Sequence, residues 1–261
     1  MGTAEVLLLN LAVALAAMLL LWLASLARRD ASIVDAWWGP GFVLLAWVDV
    51  AAAGAHPRSV FVATLVTLWG LRLAAHLLWR SHGQPEDPRY VAMRRHHGAR
   101  FAWLSLFTVF ALQGVLQVAV GLPIAVVAAR PGAPQLGALD ALGAGLFAAG
   151  LLCETLGDLQ LARFKADPAS AGRVMDRGLW AWTRHPNYFG DCIAWWGIFV
   201  VALAAPRGWA SLPGPALMTF LLLRVSGVAL LERSIGKRRP GYAEYAARVP
   251  AFFPRPPRRL P

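Results

Sequence analysis

The stretch FAWLSLFTVFALQGVLQVAVGLPIAVVAA, Phe101–Ala129, decides how this chain is threaded. It is almost wholly apolar, yet longer than the roughly 20 residues that cross a hydrocarbon core about 30 Å thick at about 1.5 Å of rise per residue. Gln113, Gln117, Gly121 and Pro123 interrupt it. Two spans here would scatter the basic residues downstream over both sides of a membrane; one kinked or tilted helix, or a helix plus a re-entrant end, collects them on one side. One helix is the expectation.

Six further apolar stretches have spanning length: Ala4–Ala27, Ile33–Gly54, Ser59–Trp79, Leu136–Ala162, Tyr188–Ala205 and Leu212–Leu231. The composition agrees, with 58% hydrophobic and 15% charged residues, an apolar excess that excludes both an ordinary soluble domain and a disordered chain. The first stretch has no basic residue before it and no clear small-residue cleavage site after it, so it reads as a retained helix.

With seven spans, loops alternate between two sides, and twenty of the 25 Lys and Arg fall on one of them: Arg28 and Arg29, five between Arg80 and Arg100, five between Arg163 and Arg184, and eight between Arg233 and Arg259. The other side holds only Arg58, Arg130 and Arg207, while Arg72 and Arg224 lie within helices. The expected fold is an all-α polytopic membrane protein of seven transmembrane helices, its N-terminus outside and its C-terminus cytoplasmic. The net charge of +11 orients the chain and implies no nucleic-acid partner. Cys153 and Cys192 fall inside expected spans and match no disulfide framework or metal-ligand spacing, so no metal is expected. Pro254–Pro261 reads as an extended basic tail attracted to anionic headgroups.

Ionisable groups inside spans are costly and mark candidate sites. Glu154 and Asp158, four apart, share a helical face near the cytoplasmic end of their helix. Asp191 enters the next helix from the same side, and Arg224 and Glu232 occupy the corresponding half of the last. This cluster predicts a polar pocket open to the cytoplasm. Asp49, near the outer end of its helix, is the weaker candidate, since from there it could simply reach the interface.

The segment from Arg173 to Asp191 is the densest in signals. Pro186 suits a first helical turn, leaving the N–H groups of Asn187 and Tyr188 to face an anion beside Arg184 and His185. With Lys165, Arg173, Arg177, Arg238 and Arg239 on the same side, a polyanionic nucleotide fits better than a bare helix start. No Gly-x-Gly-x-x-Gly after a strand is present, so such a nucleotide would bind among helix ends and loops. In the first half, Asp35-Ala-Trp37-Trp38-Gly-Pro places an acid and two amphipathic rings at a helix entrance, suiting the wall of a cavity for a flat apolar substrate. Arg72, His76, Gln113 and Gln117 are the other polar groups there.

Several segments resemble the bacterial steroid 5α-reductase-like membrane proteins: Val34-Asp-Ala-Trp-Trp-Gly39, Glu86-Asp-Pro-Arg-Tyr90, Arg100-Phe-Ala-Trp-Leu-Ser-Leu-Phe107, Arg184-His-Pro-Asn-Tyr-Phe-Gly-Asp191 with Trp195-Trp-Gly197, and Gly241-Tyr-Ala-Glu-Tyr245 through Val249-Pro250. The C-terminal half also resembles isoprenylcysteine carboxyl methyltransferases, which bind S-adenosylmethionine in that region. The reductase resemblance implies NADPH held by the last three helices, residues 130–261, with Glu154, Asp158, Lys165, Arg173, Asn187, Asp191, Arg224 and Tyr245 as contacts, joined by Arg184 and His185 from the anion-site reading. It implies a lipid-like enone in residues 1–129, against Trp37, Trp38, Trp69, Arg72 and Gln113. The steroid enzymes carry a Gln-Glu pair and a Tyr where this chain has Trp37, Trp38 and Trp69, which leaves Asp35, His76 and Tyr90 as expected catalytic groups, Asp35 with His76 foremost. The resulting expectation is a monomeric, NADPH-dependent oxidoreductase of the bacterial inner membrane. It would reduce a conjugated carbon–carbon double bond in a steroid-like or other lipid-like substrate, with membrane lipids as its surroundings. The alternative is a methyltransferase using S-adenosylmethionine.

Overall fold

The computed structural model describes residues 1–225, 227–228, 232 and 240–256. Leu231, at the end of the last expected span, and the basic residues Arg233, Lys237, Arg238, Arg239, Arg258 and Arg259 lie outside the described residues. Every regular element described is helical, and five runs are long and apolar enough to cross a membrane: Thr3–Arg28, Ile33–Ala53, Pro57–Ser81, Pro88–Val120 and Ala138–Ala166. This is a polytopic, all-α membrane protein. The chain forms two compact units, the first of residues 1–138 with 202–214, the second of 139–201 with 215–261.

In the first unit, α1 (Thr3–Arg28), α2 (Ile33–Ala53) and α3 (Pro57–Ser81) make three apolar rods. Short connections force neighbours antiparallel. Helix α1 stops where Arg29 takes a left-handed conformation, and α3 starts on Pro57, whose missing N–H costs nothing at that position. Gly39 of α2 and Gly70 of α3 let the two backbones touch; a Cβ on Gly39 would lie 2.3 Å from the Gly70 carbonyl oxygen. Trp69 is fully buried beside this crossing, edge-on to Phe42 at 5.7 Å.

A short α4 (Pro88–His97) follows, capped by Asp87, whose carboxylate accepts from the Arg89 amide at 2.9 Å. Helix α5 (Phe101–Ser105) runs through a π-helical stretch, Leu106–Ala111, into α6 (Leu112–Val120). The expected single helix over Phe101–Ala129 breaks at Gly121, and α7 (Leu122–Ala129) restarts there. Pro123 cannot donate to the preceding turn, so the helix ends on Gly121 and begins again with Pro123 in its first turn.

One end of this unit is tied by basic residues. Buried Arg58 donates to the carbonyls of Pro131, Ala133 and Gln135, and Arg130 donates to Thr3 at 3.0 Å. Asp49 does not reach an interface: it is wholly buried, accepting from Asn10 of α1 at 3.1 Å. An interhelical bond inside the bundle satisfies part of the carboxyl's demand that water would have met.

The second unit is built on α8 (Ala138–Ala166) and α9 (Pro186–Ala202). Gly143, Gly150 and Gly157 recur every seven residues on α8, and Gly190 and Gly197 at the same interval on α9. A Cβ on Gly150 would lie 2.4 Å from the Ala194 amide nitrogen, one on Gly143 2.6 Å from the Gly197 oxygen, and one on Gly190 2.4 Å from the Glu154 nitrogen. This antiparallel seam of small residues brings backbones into contact, the packing that replaces hydrophobic driving force between helices in lipid. Helix α9 has 17 residues, ending before the expected Ala205, and α10 (Pro213–Phe220) passes into a π-helical turn, Leu221–Val225. Helix α11 (Tyr242–Arg248) closes the unit.

Candidate functional site

Among the described residues, polar clusters interrupt the apolar packing in each unit. In the first unit, Asp35 opens α2 and accepts from two groups delivered by α4: the Arg89 guanidinium at 2.6 Å and the Tyr90 hydroxyl at 2.8 Å. Asp87 holds Arg89 from the other side at 2.9 Å, and those bonds keep its carboxyl below the usual range although burial alone would raise it. Glu86 joins α4 to the α1–α2 turn, accepting from the Ala31 amide and from Arg94, each at 2.8 Å. Tyr90 is buried in a cluster with Met18, Val34, Phe101 and Phe110, against which Trp37 packs. The indole N–H of Trp37 is buried with no hydrogen-bond partner among the described residues.

Asp35, paired foremost with His76 in the expectation from sequence, is thus joined to Tyr90, with the carboxylate accepting and the phenol hydroxyl donating. His76 and Arg72 sit on α3, both partly buried, six and two residues beyond the Gly70 crossing; the His76 ring lies beside Trp79 at 6.1 Å. In the antiparallel pair, Asp35 and His76 fall on the same side of the crossing, about 6 and 9 Å along their axes. Gln117 is buried and donates to the Trp38 carbonyl at 3.0 Å, while Gln113 is partly buried on the same helix. The Glu86-Asp-Pro-Arg-Tyr90 segment carried the signal for the ion pairs, an acid before Pro at a helix start, yet only Tyr90 of it was named as a site residue.

In the second unit, the seam sets the register of the acids. Glu154 and Asp158 are both buried, and Asp158 accepts from the side-chain Nδ2 of Asn187 at 3.0 Å at the start of α9, whose first residue is Pro186 as expected. The Asn187 carbonyl oxygen is buried with no partner among the described residues. Asp191 is buried one turn further on. Lys165, Arg173 and Arg224 are exposed, and Arg224 lies within the π-helical turn, an irregularity frequent at functional sites.

Arg184 and His185 face an anion, but it belongs to the chain. Glu232 pairs in bidentate fashion with Arg184, at 2.8 and 3.0 Å, and its Oε1 lies 3.2 Å from His185 Nε2. Burial would raise the Glu232 carboxyl, but hydrogen bonds from His185 and Arg184, reinforced by the guanidinium charge, hold it down at about 2. The remaining Arg184 nitrogen donates to the carbonyls of Ala246 and Val249, at 2.8 and 2.7 Å, so one side chain straps the C-terminal segment to the α9 entrance. Tyr242 donates to Glu232 at 3.4 Å, and burial beside that carboxylate pushes its hydroxyl up to about 12. Tyr245 is buried and donates to the Trp180 carbonyl at 2.6 Å. Glu232 was expected in the polar cluster but not as the partner of Arg184, and Tyr242 was not singled out; the motif that pointed to an anion at Arg-His-Pro could not say that the chain supplies it.

All ten expected cofactor contacts fall in the second unit, and the expected catalytic and substrate-facing residues in the first. Among the described residues, no group of three or more His, Cys, Asp and Glu is arranged to hold a metal. Comparison with known proteins gives a family model, described as "Protein of unknown function (DUF1295)", that matches residues 21–249. An uncharacterized protein of Schizosaccharomyces pombe is 26% identical, the match covering 77% of this chain and 64% of that protein. The chain thus spans less than two thirds of the curated relative's length. No solved structure matches.

Proposed function

This chain belongs to the DUF1295 family, and from its buried acids, its basic loops and its resemblance to the steroid 5α-reductase-like proteins we propose that it is an NADPH-dependent reductase of a conjugated carbon–carbon double bond in a steroid-like or other lipid-like substrate. It works as a seven-span bundle with a cytoplasmic C-terminus, in a bacterial inner membrane. The observation that carries the reading is the Tyr90 hydroxyl held 2.8 Å from the Asp35 carboxylate, which Arg89 holds in turn at 2.6 Å. Reduction of an enone adds hydride to the β-carbon and pushes an electron pair onto the carbonyl oxygen, which then needs a donor. A fixed phenol meets that need as the charge develops, and a proton taken up at the α-carbon completes the reduction. Asp35 orients the phenol, and Arg89 links Asp35 to solvent.

NADPH would supply the hydride. Of this chain's residues, exposed Lys165, Arg173 and Arg224 suit its phosphates, and the unpartnered carbonyl oxygen of Asn187 suits an amide donor. Arg184 and His185, already engaged by Glu232, serve as the scaffold of that region. The test is a titration of the detergent-purified protein with NADPH, followed by turnover of an enone panel. Absence of NADPH binding sinks the proposal; binding without turnover refutes only the substrate class.

A second reading is favoured by the cluster of Arg184, His185, Glu232 and Tyr242, which joins the Arg-His-Pro-Asn-Tyr-Phe-Gly run from Arg184 to the Gly241–Pro250 run, both in the half that resembles membrane methyltransferases. Thermal protection by S-adenosylmethionine but not by NADPH would select it.

A further inference from the structure

We propose that α4 and the turn before it form a headgroup site for an anionic phospholipid. Helix α4 is pinned by its inner face: Tyr90 belongs to the core cluster, Met93 packs against it, and Arg94 is engaged by Glu86. The outer face is left to Arg95 and His96, both exposed, with exposed His97 and Arg100 following, and no acid occurs from Pro88 to Arg100. Glu86, the acid nearest that face, is already spent on the Ala31 amide and Arg94.

Beside these side chains runs a groove of about 660 Å³ lined by Pro85, Pro88, Val91 and Ala92 together with Glu86, Arg95 and His96. Apolar walls next to a cationic edge match a molecule whose phosphate adjoins a glycerol and acyl chains, and match a freely soluble phosphate less well. Nearby elements expose Trp79, Trp103 and Phe107 by 64%, 53% and 60%, the amphipathic and apolar rings that sit at the headgroup level of a bilayer. Juxtamembrane Arg residues gain most from lipids of negative charge.

The experiment uses the full chain in neutral detergent, titrated with phosphatidylglycerol or phosphatidylcholine while thermal unfolding is followed. Phosphatidylglycerol is expected to raise the unfolding midpoint and phosphatidylcholine to leave it unchanged. Arg95→Gln with His96→Gln should need about fivefold more phosphatidylglycerol for the same shift, and R95E with H96E should abolish it. Both side chains are exposed, so unliganded stability serves as the folding control. An unchanged response in the double variants, an equal effect of phosphatidylcholine, or reproduction of the shift by glycerol 3-phosphate alone would each overturn the proposal.

Discussion

Tyr90 and Glu232 show how much rests on single hydrogen bonds in this protein. Tyr90→Phe keeps the ring in its apolar cluster and removes only the hydroxyl on Asp35. Under the proposed reaction, kcat should fall by about 100-fold or more while NADPH affinity is retained; a parallel loss of nucleotide binding would detach Tyr90 from the chemistry. Glu232 makes a different prediction. Its carboxyl is held at about 2 in the folded chain, below its ordinary value of 4.5, so the folded state binds fewer protons than the unfolded one between those values. The stabilisation is complete above about pH 5 and is lost as pH falls toward 2. Thermal unfolding of Glu232→Gln should therefore lie below wild type at neutral pH, with the gap closing under acid; a gap independent of pH would mean that the carboxylate's charge is not what holds Arg184. The acids were legible in sequence as ionisable residues in costly places, Arg184 as part of an anion site at a helix start, and Tyr90 through the reductase resemblance. Which donor meets which acceptor was not, because Asp35 and Arg89 are 54 residues apart and Arg184 and Glu232 are 48 apart.

At the scale of elements, the glycine seam between α8 and α9 positions Glu154, Asp158 and Asn187. Gly150→Val would force a side chain into backbone 2.4 Å away, whereas a Cβ on Gly145, on the same helix, meets nothing within 4 Å. The first substitution should cost about 3 kcal/mol or more and lower the unfolding midpoint by roughly 10 °C, and Gly145→Val should leave it near wild type. Equal effects would place the seam elsewhere. The seven-residue glycine spacing was visible in the sequence, although periodicity of apolar residues alone could not single it out. The break at Gly121 was visible too, as Gly and Pro two residues apart. What could not be read was how two competing tendencies balance: a continuous apolar run favours one helix, and the missing Pro123 donor ends it.

At the scale of the whole molecule, the proposed orientation puts the two ends of the first unit on opposite sides of the membrane. Arg58 and Arg130 gather Thr3 and the 131–135 loop at one end, and the Asp35, Glu86 and Arg89 network occupies the other. If the proposed orientation holds, a cysteine replacing Gln135 should react with an impermeant thiol reagent added to intact cells, and one replacing His97 only after permeabilisation. The reverse pattern would invert the topology and move every candidate site to the other side. The amino-acid sequence by itself determined that this is a helical membrane protein and where its charges concentrate. Hydrocarbon demands long apolar helices, and a run of about 20 such residues is a local property that needs no partner. Only the tertiary structure decided that residues 202–214 join the first unit, that Tyr90 donates to Asp35, and that the anion beside Arg184 is Glu232. Those outcomes depend on which distant backbones approach closely enough for a hydrogen bond, and no local pattern encodes that distance.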